Sequence, residues 1–165
     1  MRLICAFDVR GPLVPWSVPD IGVRRVGNKS WRFTKKNAPL EAWQAVVREA
    51  AVRAMAGVGP VTEPVFVRLV FTKRAPEGKR PGQLWYAKVV RNKSGKYVTV
   101  GKERKGLGDT LNYFKGTEDA LQSVIYGNDS LTCLISSARL YGRFDGVSVS
   151  VYEIEPGDFP GEEGA

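Results

Sequence analysis

The run VFVRLVFT at residues 65–72 constrains the fold most. Val65, Val67, Leu69 and Phe71 alternate with Phe66, Arg68, Val70 and Thr72. A strand turns successive side chains to opposite faces, so this segment needs a sheet with at least one buried side. Arg2–Arg10 alternates in the same way and stops at Gly11-Pro12. Residues 131–140 and GVSVSVYEIE (146–155) read as two closing strands joined across Tyr141–Gly146. Between these strands the periodicity changes to that of helices. Leu40, Trp43, Val47, Ala50 and Ala54 share one face of a helix that starts near Pro39, a residue tolerated in a first turn, and runs to Gly57. That spacing makes Trp43 a core residue. LWYAKVV and KYVTV flank Asn92-Lys93-Ser94-Gly95, which has the chemistry of a hairpin turn. Residues 11–36, broken by Pro12, Pro15, Pro19, Gly22 and Gly27, read as a basic, aromatic-containing loop. The order is therefore strand, helix, strand, hairpin, helix, strand, strand. This is an α+β fold: a mixed sheet of about four or more strands against two main helices, with a basic hairpin inserted.

At 165 residues the chain suits one domain, residues 1–165, with 155–165 as an acidic tail. Such a chain buries enough surface to fold without disulfides or structural metal. No apolar run approaches the ~20 residues that span a bilayer, and the first residues lack the pattern of a signal peptide. A cytoplasmic location with no membrane partner is the expectation. Cys5 and Cys133 lie in apolar surroundings and read as buried, reduced thiols. Histidine is absent. Its absence excludes Ser-His and Cys-His catalysis and histidine-ligated zinc, leaving carboxylates, lysine, tyrosine or a hard metal held by oxygens.

Charge is divided unevenly. Residues 1–107 hold 22 Lys/Arg against 7 Asp/Glu, and residues 108–165 hold 3 against 10. A basic body followed by an acid-bearing segment suits a protein that grips a polyanion and presents acids to one spot, although a pI near 9.7 also serves solubility alone. Candidate phosphate-binding residues are Arg24 and Arg25 in the basic loop, Lys73 and Arg74 where the basic stretch begins, and Lys102, Arg104 and Lys105 where it ends.

The chemistry is expected in GDTLNYFKGTEDALQSVIYGND (108–129). On a helix, Leu111, Phe114, Thr117, Leu121, Val124 and Ile125 form one apolar arc, predicted to be buried, and Asn112, Lys115, Asp119 and Gln122 form a polar stripe. Asp109 falls at the helix start and Asp129 in the turn beyond its end. If the chain folds back, these acids meet beside Lys115, and gathered carboxylates call for a cation such as Mg²⁺. Each also has a plainer reading: Asp109 as N-cap, Asp129 as turn residue, Lys115 and Asp119 as an (i, i+4) surface pair.

The same segment resembles the RusA family of Holliday junction resolvases, of the phage or prophage type. That family carries D-x-D-N-x-x-K-x-x-x-D-A-L and then, about ten residues on, an Asp-Asp pair. Here the pattern reads Asp109-Thr110-Leu111-Asn112-Tyr113-Phe114-Lys115-Gly116-Thr117-Glu118-Asp119-Ala120-Leu121, then Asn128-Asp129. FDVRGPLVP, the helix with Trp43 and GVSVSVYEIE are similar to the family's opening and closing segments. The resemblance implies a RusA-like fold and a homodimeric, Mg²⁺-dependent endonuclease, with Mn²⁺ able to substitute and no small-molecule cofactor. Its substrate would be branched DNA, four-way junctions above all, resolved by paired nicks in recombination or repair. The family's three metal-binding acids map onto Asp109, Leu111 and Asp129, and its essential lysine onto Lys115. Leu111 thus stands where the family has an acid, and Asn128 where it has the first of the Asp-Asp pair.

Glu118 is the candidate substitute. It lies ~20° from Leu111 on the wheel, but seven residues on is ~10 Å along the axis, so it would supply a ligand from another side. The expected site is Asp109, Asp129, Glu118 and Asp119 on metal, Lys115 on the scissile phosphate, and Asn112 among the DNA-binding residues. Two alternatives remain: a junction-binding protein impaired in cleavage, and a basic single-stranded nucleic-acid-binding protein stacking bases on Trp16, Trp31, Trp85 and Tyr86.

Overall fold

The structure is a computed structural model and describes residues 1–17, 21–27, 29–34, 37–85, 88–91, 93–100, 110–155 and 157–158. Asp109, Lys102, Arg104, Lys105, Tyr86 and residues 159–165 of the acidic tail lie outside the described residues, as do the side chains of Arg24 and Trp31.

The elements are β1 (Arg2–Arg10), β2 (Ile21–Val26), β3 (Lys29–Thr34), α1 (Ala38–Met55), β4 (Val65–Arg74), β5 (Lys88–Arg91), β6 (Tyr97–Val100), α2 (Thr110–Leu121), β7 (Thr132–Gly142) and β8 (Gly146–Glu153). Four strands form the main sheet in the order β1-β8-β4-β7. β8 runs antiparallel to both β1 and β4, whereas β7 is parallel to β4. The sheet is therefore mixed. The alternation in β4 determines its faces: Val65, Val67, Leu69 and Phe71 are wholly buried and join Val147, Val149 and Val151 of β8 in one core with both helices. On the other face Phe66 stacks on Tyr152, with ring centroids 5.5 Å apart, while Arg68 and Ser148 are exposed.

α1 begins at an Asn37 cap, whose side chain accepts from the Leu40 amide at 3.3 Å, and ends at Ala56 in the left-handed conformation. Leu40, Trp43, Val47 and Ala50 are buried as their spacing requires. Two hydrogen bonds lock α1 to α2: Trp43 Nε1 donates to Thr117 Oγ1 at 3.2 Å, and Gln44 Nε2 donates to the Gly116 carbonyl at 3.2 Å. Gly116 permits a close approach. A Cβ there would come within 3.1 Å of the Trp16 amide nitrogen and 3.2 Å of Leu40 Cδ1. The segment after β1 can therefore lie on α2, where the Trp16 amide donates to the Asn112 carbonyl at 2.9 Å.

Three expectations change. Residues 21–34, expected within a loop, form an antiparallel hairpin pairing Ile21 with Thr34 through Val26 with Lys29, its turn passing through Gly27 at φ 60°. The prolines that suggested a loop all precede it. The second concerns Trp85, offered as a stacking platform, which is a core residue only 3% exposed. Its ring packs on Tyr113, which packs on Phe71, and Lys73 and Arg139 lie 5.2 and 5.3 Å from its centroid. The third is Cys133, which is exposed on β7, whereas Cys5 is buried; its apolar neighbours in sequence alternate across the strand and do not cover it. β5 and β6 pair as the turn chemistry predicts. No described helix is long and apolar enough to cross a membrane.

Candidate active site

α2 is shorter than its apolar pattern suggests. It ends at Leu121, and the chain reverses through Ser123, a non-glycine residue at φ 66°. The Ser123 amide donates to the Tyr126 carbonyl at 2.7 Å, and the Ile125 amide to the Leu121 carbonyl at 2.9 Å. Val124 and Ile125 thus pack from this turn and not from a helix face. Asn128 then caps a single 3₁₀ turn, its side chain accepting from the Ser130 amide at 2.9 Å. Asp129 opens that turn and is carried back over the helix.

The reversal brings three carboxylates to one ammonium. Lys115 Nζ lies 2.6 Å from Asp119 Oδ1, 3.3 Å from Glu118 Oε2 and 3.7 Å from Asp129 Oδ2. Asp119 sits one turn along α2, as an (i, i+4) pair would. Asp129 is fourteen residues away in sequence, so the cluster exceeds a surface pair. The hydrogen bond that Lys115 donates to Asp119, with the charges of Asp119 and Glu118, raises the lysine pKa above its usual value against a smaller desolvation effect. The lysine is an ammonium at neutral pH, and the four groups together carry two surplus negative charges.

The acids are not equivalent. Asp129 is exposed and Asp119 half-buried, whereas Glu118 is 3% exposed. Glu118 Oε1 accepts from the Tyr126 hydroxyl at 3.1 Å and from Thr132 Oγ1 at 3.5 Å. Its other oxygen faces Lys115. A buried carboxylate is tolerated only when partnered in this way. Burial above all, and then the Glu118 charge, push the Tyr126 phenol far above its ordinary range, so it stays a donor. Sequence alone does not single out Tyr126 or Thr132, since nothing local marks a tyrosine eight residues on as the partner of a glutamate.

Leu111 is the main correction. Its place on the apolar arc predicts burial, but it is 67% exposed. The buried residues of α2 are Tyr113, Phe114, Gly116, Thr117, Glu118, Ala120 and Leu121, a wider arc turned toward α1 and the 11–17 segment. Leu111 falls outside it, ~40° from Lys115 on the wheel and one turn before it.

Among the described residues, no three acidic or thiol groups are arranged to hold a metal ion. Asp109 is outside them. The donors present are nonetheless carboxylate oxygens with surplus negative charge, the chemistry a hard divalent cation requires. Asp119 and Asp129 are the accessible ones, and Glu118 is already committed. Of the DNA-binding candidates, Arg25 is exposed on β2. Arg74 ends β4, its amide held by Asp145 Oδ1 at 2.6 Å. Asn112 is half-buried beneath Trp16.

A family model described as endodeoxyribonuclease RusA matches residues 12–152. No curated protein matches the chain.

Proposed function

The chain belongs to the RusA endodeoxyribonuclease family, and from that premise we propose that it resolves Holliday junctions by paired nicks, using Mg²⁺, in DNA recombination or repair. Endonucleolytic cleavage of junction DNA with a divalent metal is the family's activity. The proposal adds which residues of this chain perform it. The observation that carries it is the return of Asp129 to Lys115, with Glu118 and Asp119, at the end of α2.

Asp109, Asp129 and Asp119 would hold the Mg²⁺, with Mn²⁺ able to substitute. When bound, the ion supplies an activated water and polarises the phosphate. The Lys115 ammonium, held by Glu118, faces the scissile phosphate and stabilises negative charge that develops on it. Glu118 is assigned to lysine anchoring, because both its oxygens are engaged. Arg24, Arg25, Lys73, Arg74, Lys102, Arg104, Lys105 and Asn112 hold DNA arms by their phosphates, which fixes position without reading sequence. The chain works as one resolvase domain in a homodimer, whose two-fold axis matches that of a four-way junction and presents one site to each of two opposed strands. The cytoplasm is its place of action.

A synthetic four-way junction with Mg²⁺ tests this. Asp129→Asn and Lys115→Ala are expected to abolish cleavage, with junction affinity retained for both and improved for Asp129→Asn, which removes negative charge near phosphate. Normal cutting by both variants would reduce Asp129 to a turn residue and Lys115 to a surface charge. A junction bound but left uncut by the unaltered protein would favour the cleavage-impaired reading, which the missing acid at Leu111 supports.

A further inference from the structure

The lysine of this site is anchored from inside the core. Asp119 and Asp129 are accessible, so each is free to turn from Lys115 toward another cation. Glu118 is not: it is 3% exposed, and Tyr126 and Thr132 fasten its Oε1 at 3.1 and 3.5 Å while Oε2 meets Lys115 at 3.3 Å. Tyr126 is itself wholly buried in the turn after α2, and Thr132 opens β7. Two separate elements therefore converge on one carboxylate, whose far oxygen restrains a flexible four-carbon side chain with much rotamer freedom to lose.

We propose that Tyr126, supported by Thr132, is a positioning residue for cleavage: it orients Glu118, and Glu118 fixes the Lys115 ammonium at the scissile phosphate. The assignment rests on the role given to Lys115 above. It explains why a tyrosine hydroxyl and a carboxylate are buried together beside the site, an unfavourable arrangement if packing alone mattered.

Tyr126→Phe removes one oxygen and keeps the ring. The single-turnover rate on saturating protein should fall about tenfold or more, the effect of losing one hydrogen bond to a charged group, while junction affinity without divalent metal stays unchanged. Thr132→Val should fall less, and Thr132→Ser should keep more of the rate than Thr132→Val. On a Glu118→Gln background, Tyr126→Phe should reduce the rate little further, because both act through one carboxylate. A readout independent of cleavage is the ¹³Cε-lysine NMR signal of Lys115 in metal-free protein, assigned through Lys115→Arg. It should shift in Tyr126→Phe. A variant with a lowered melt but a normal rate and an unmoved signal would make Tyr126 purely structural and overturn the inference. If Tyr126→Phe fails to fold, Thr132→Val carries the same test, and a normal rate with an unmoved signal refutes it. Normal cutting by Lys115→Ala would instead overturn the underlying reading of the site.

Discussion

Replacing Leu111 by Asp restores the acid expected from the family pattern, and the structure predicts that the protein will accept it. The side chain is 67% exposed, so a charge there keeps its water and incurs little of the desolvation that burial imposes. Leu→Asp lowers intrinsic helix propensity by roughly 0.5 kcal/mol. Leu111 is the second residue of α2, where a negative charge gains about 0.3–1 kcal/mol from the helix dipole. The two effects nearly cancel, and the melting temperature should move by no more than about 2 °C for a domain of this size. The gain should appear at the metal. Unit charges 4 Å apart in water interact by ~1 kcal/mol, so a carboxylate facing a divalent ion is worth about 2 kcal/mol, or roughly 30-fold in affinity. The assay is the Mg²⁺ concentration for half-maximal junction cleavage, beside a thermal melt, with Leu111→Asn as the uncharged control. A lower Mg²⁺ requirement in Asp but not Asn is expected. A melt lowered by about ten degrees would show that Leu111 packs in the core, and equal Mg²⁺ dependence in the two variants would show that this position does not face the ion.

Three further outcomes can be measured, the first resting on sequence and the other two on the structure. Junction affinity should fall steeply with salt, and changing Lys102, Arg104 and Lys105 to Ala should flatten the slope of log K against log[salt] by about 0.9 for each phosphate no longer neutralised; an unchanged slope in a salt titration removes this stretch from the DNA site. Thr117→Val leaves the buried Trp43 N–H without the acceptor it has at 3.2 Å, so denaturant unfolding should show a loss of about 1–3 kcal/mol; no loss would mean the α1–α2 bond contributes nothing. Burial raises the Cys5 thiol from 9.0 to about 11. The unfolded chain ionises first, so this contribution is intact below pH 9.0 and is lost as pH rises toward 11, at up to ~1.4 kcal/mol per pH unit. Cys5→Val should shallow the alkaline decline in stability; an identical decline would assign it to other groups.

Much of the framework was legible because its signals are local. Alternation in residues 65–71 marks β4, and the 3.6-residue period from Leu40 to Ala50 marks α1 and the burial of Trp43. The turn chemistry between Arg91 and Tyr97 anticipates the pairing of β5 with β6, and the (i, i+4) spacing of Lys115 and Asp119 places them together whatever surrounds the helix. The family pattern also pointed to Asp129 from sequence alone. Packing decided the rest. A wheel ranks helix faces by composition, yet the buried arc is the one its neighbours cover. α2 has α1 and the 11–17 segment on its Gly116 side and the turn after it with the start of β7 on its Glu118 side, which widens the buried arc to include Glu118 and leaves Leu111 in solvent. The approach of Asp129 to Lys115 depends on the reversal at Ser123, and the partnership of Glu118 with Tyr126 and Thr132 depends on that turn meeting the start of β7. Periodicity along one element constrains its own faces. Which face is dry, and which distant groups share a charge, is determined by where the other elements dock.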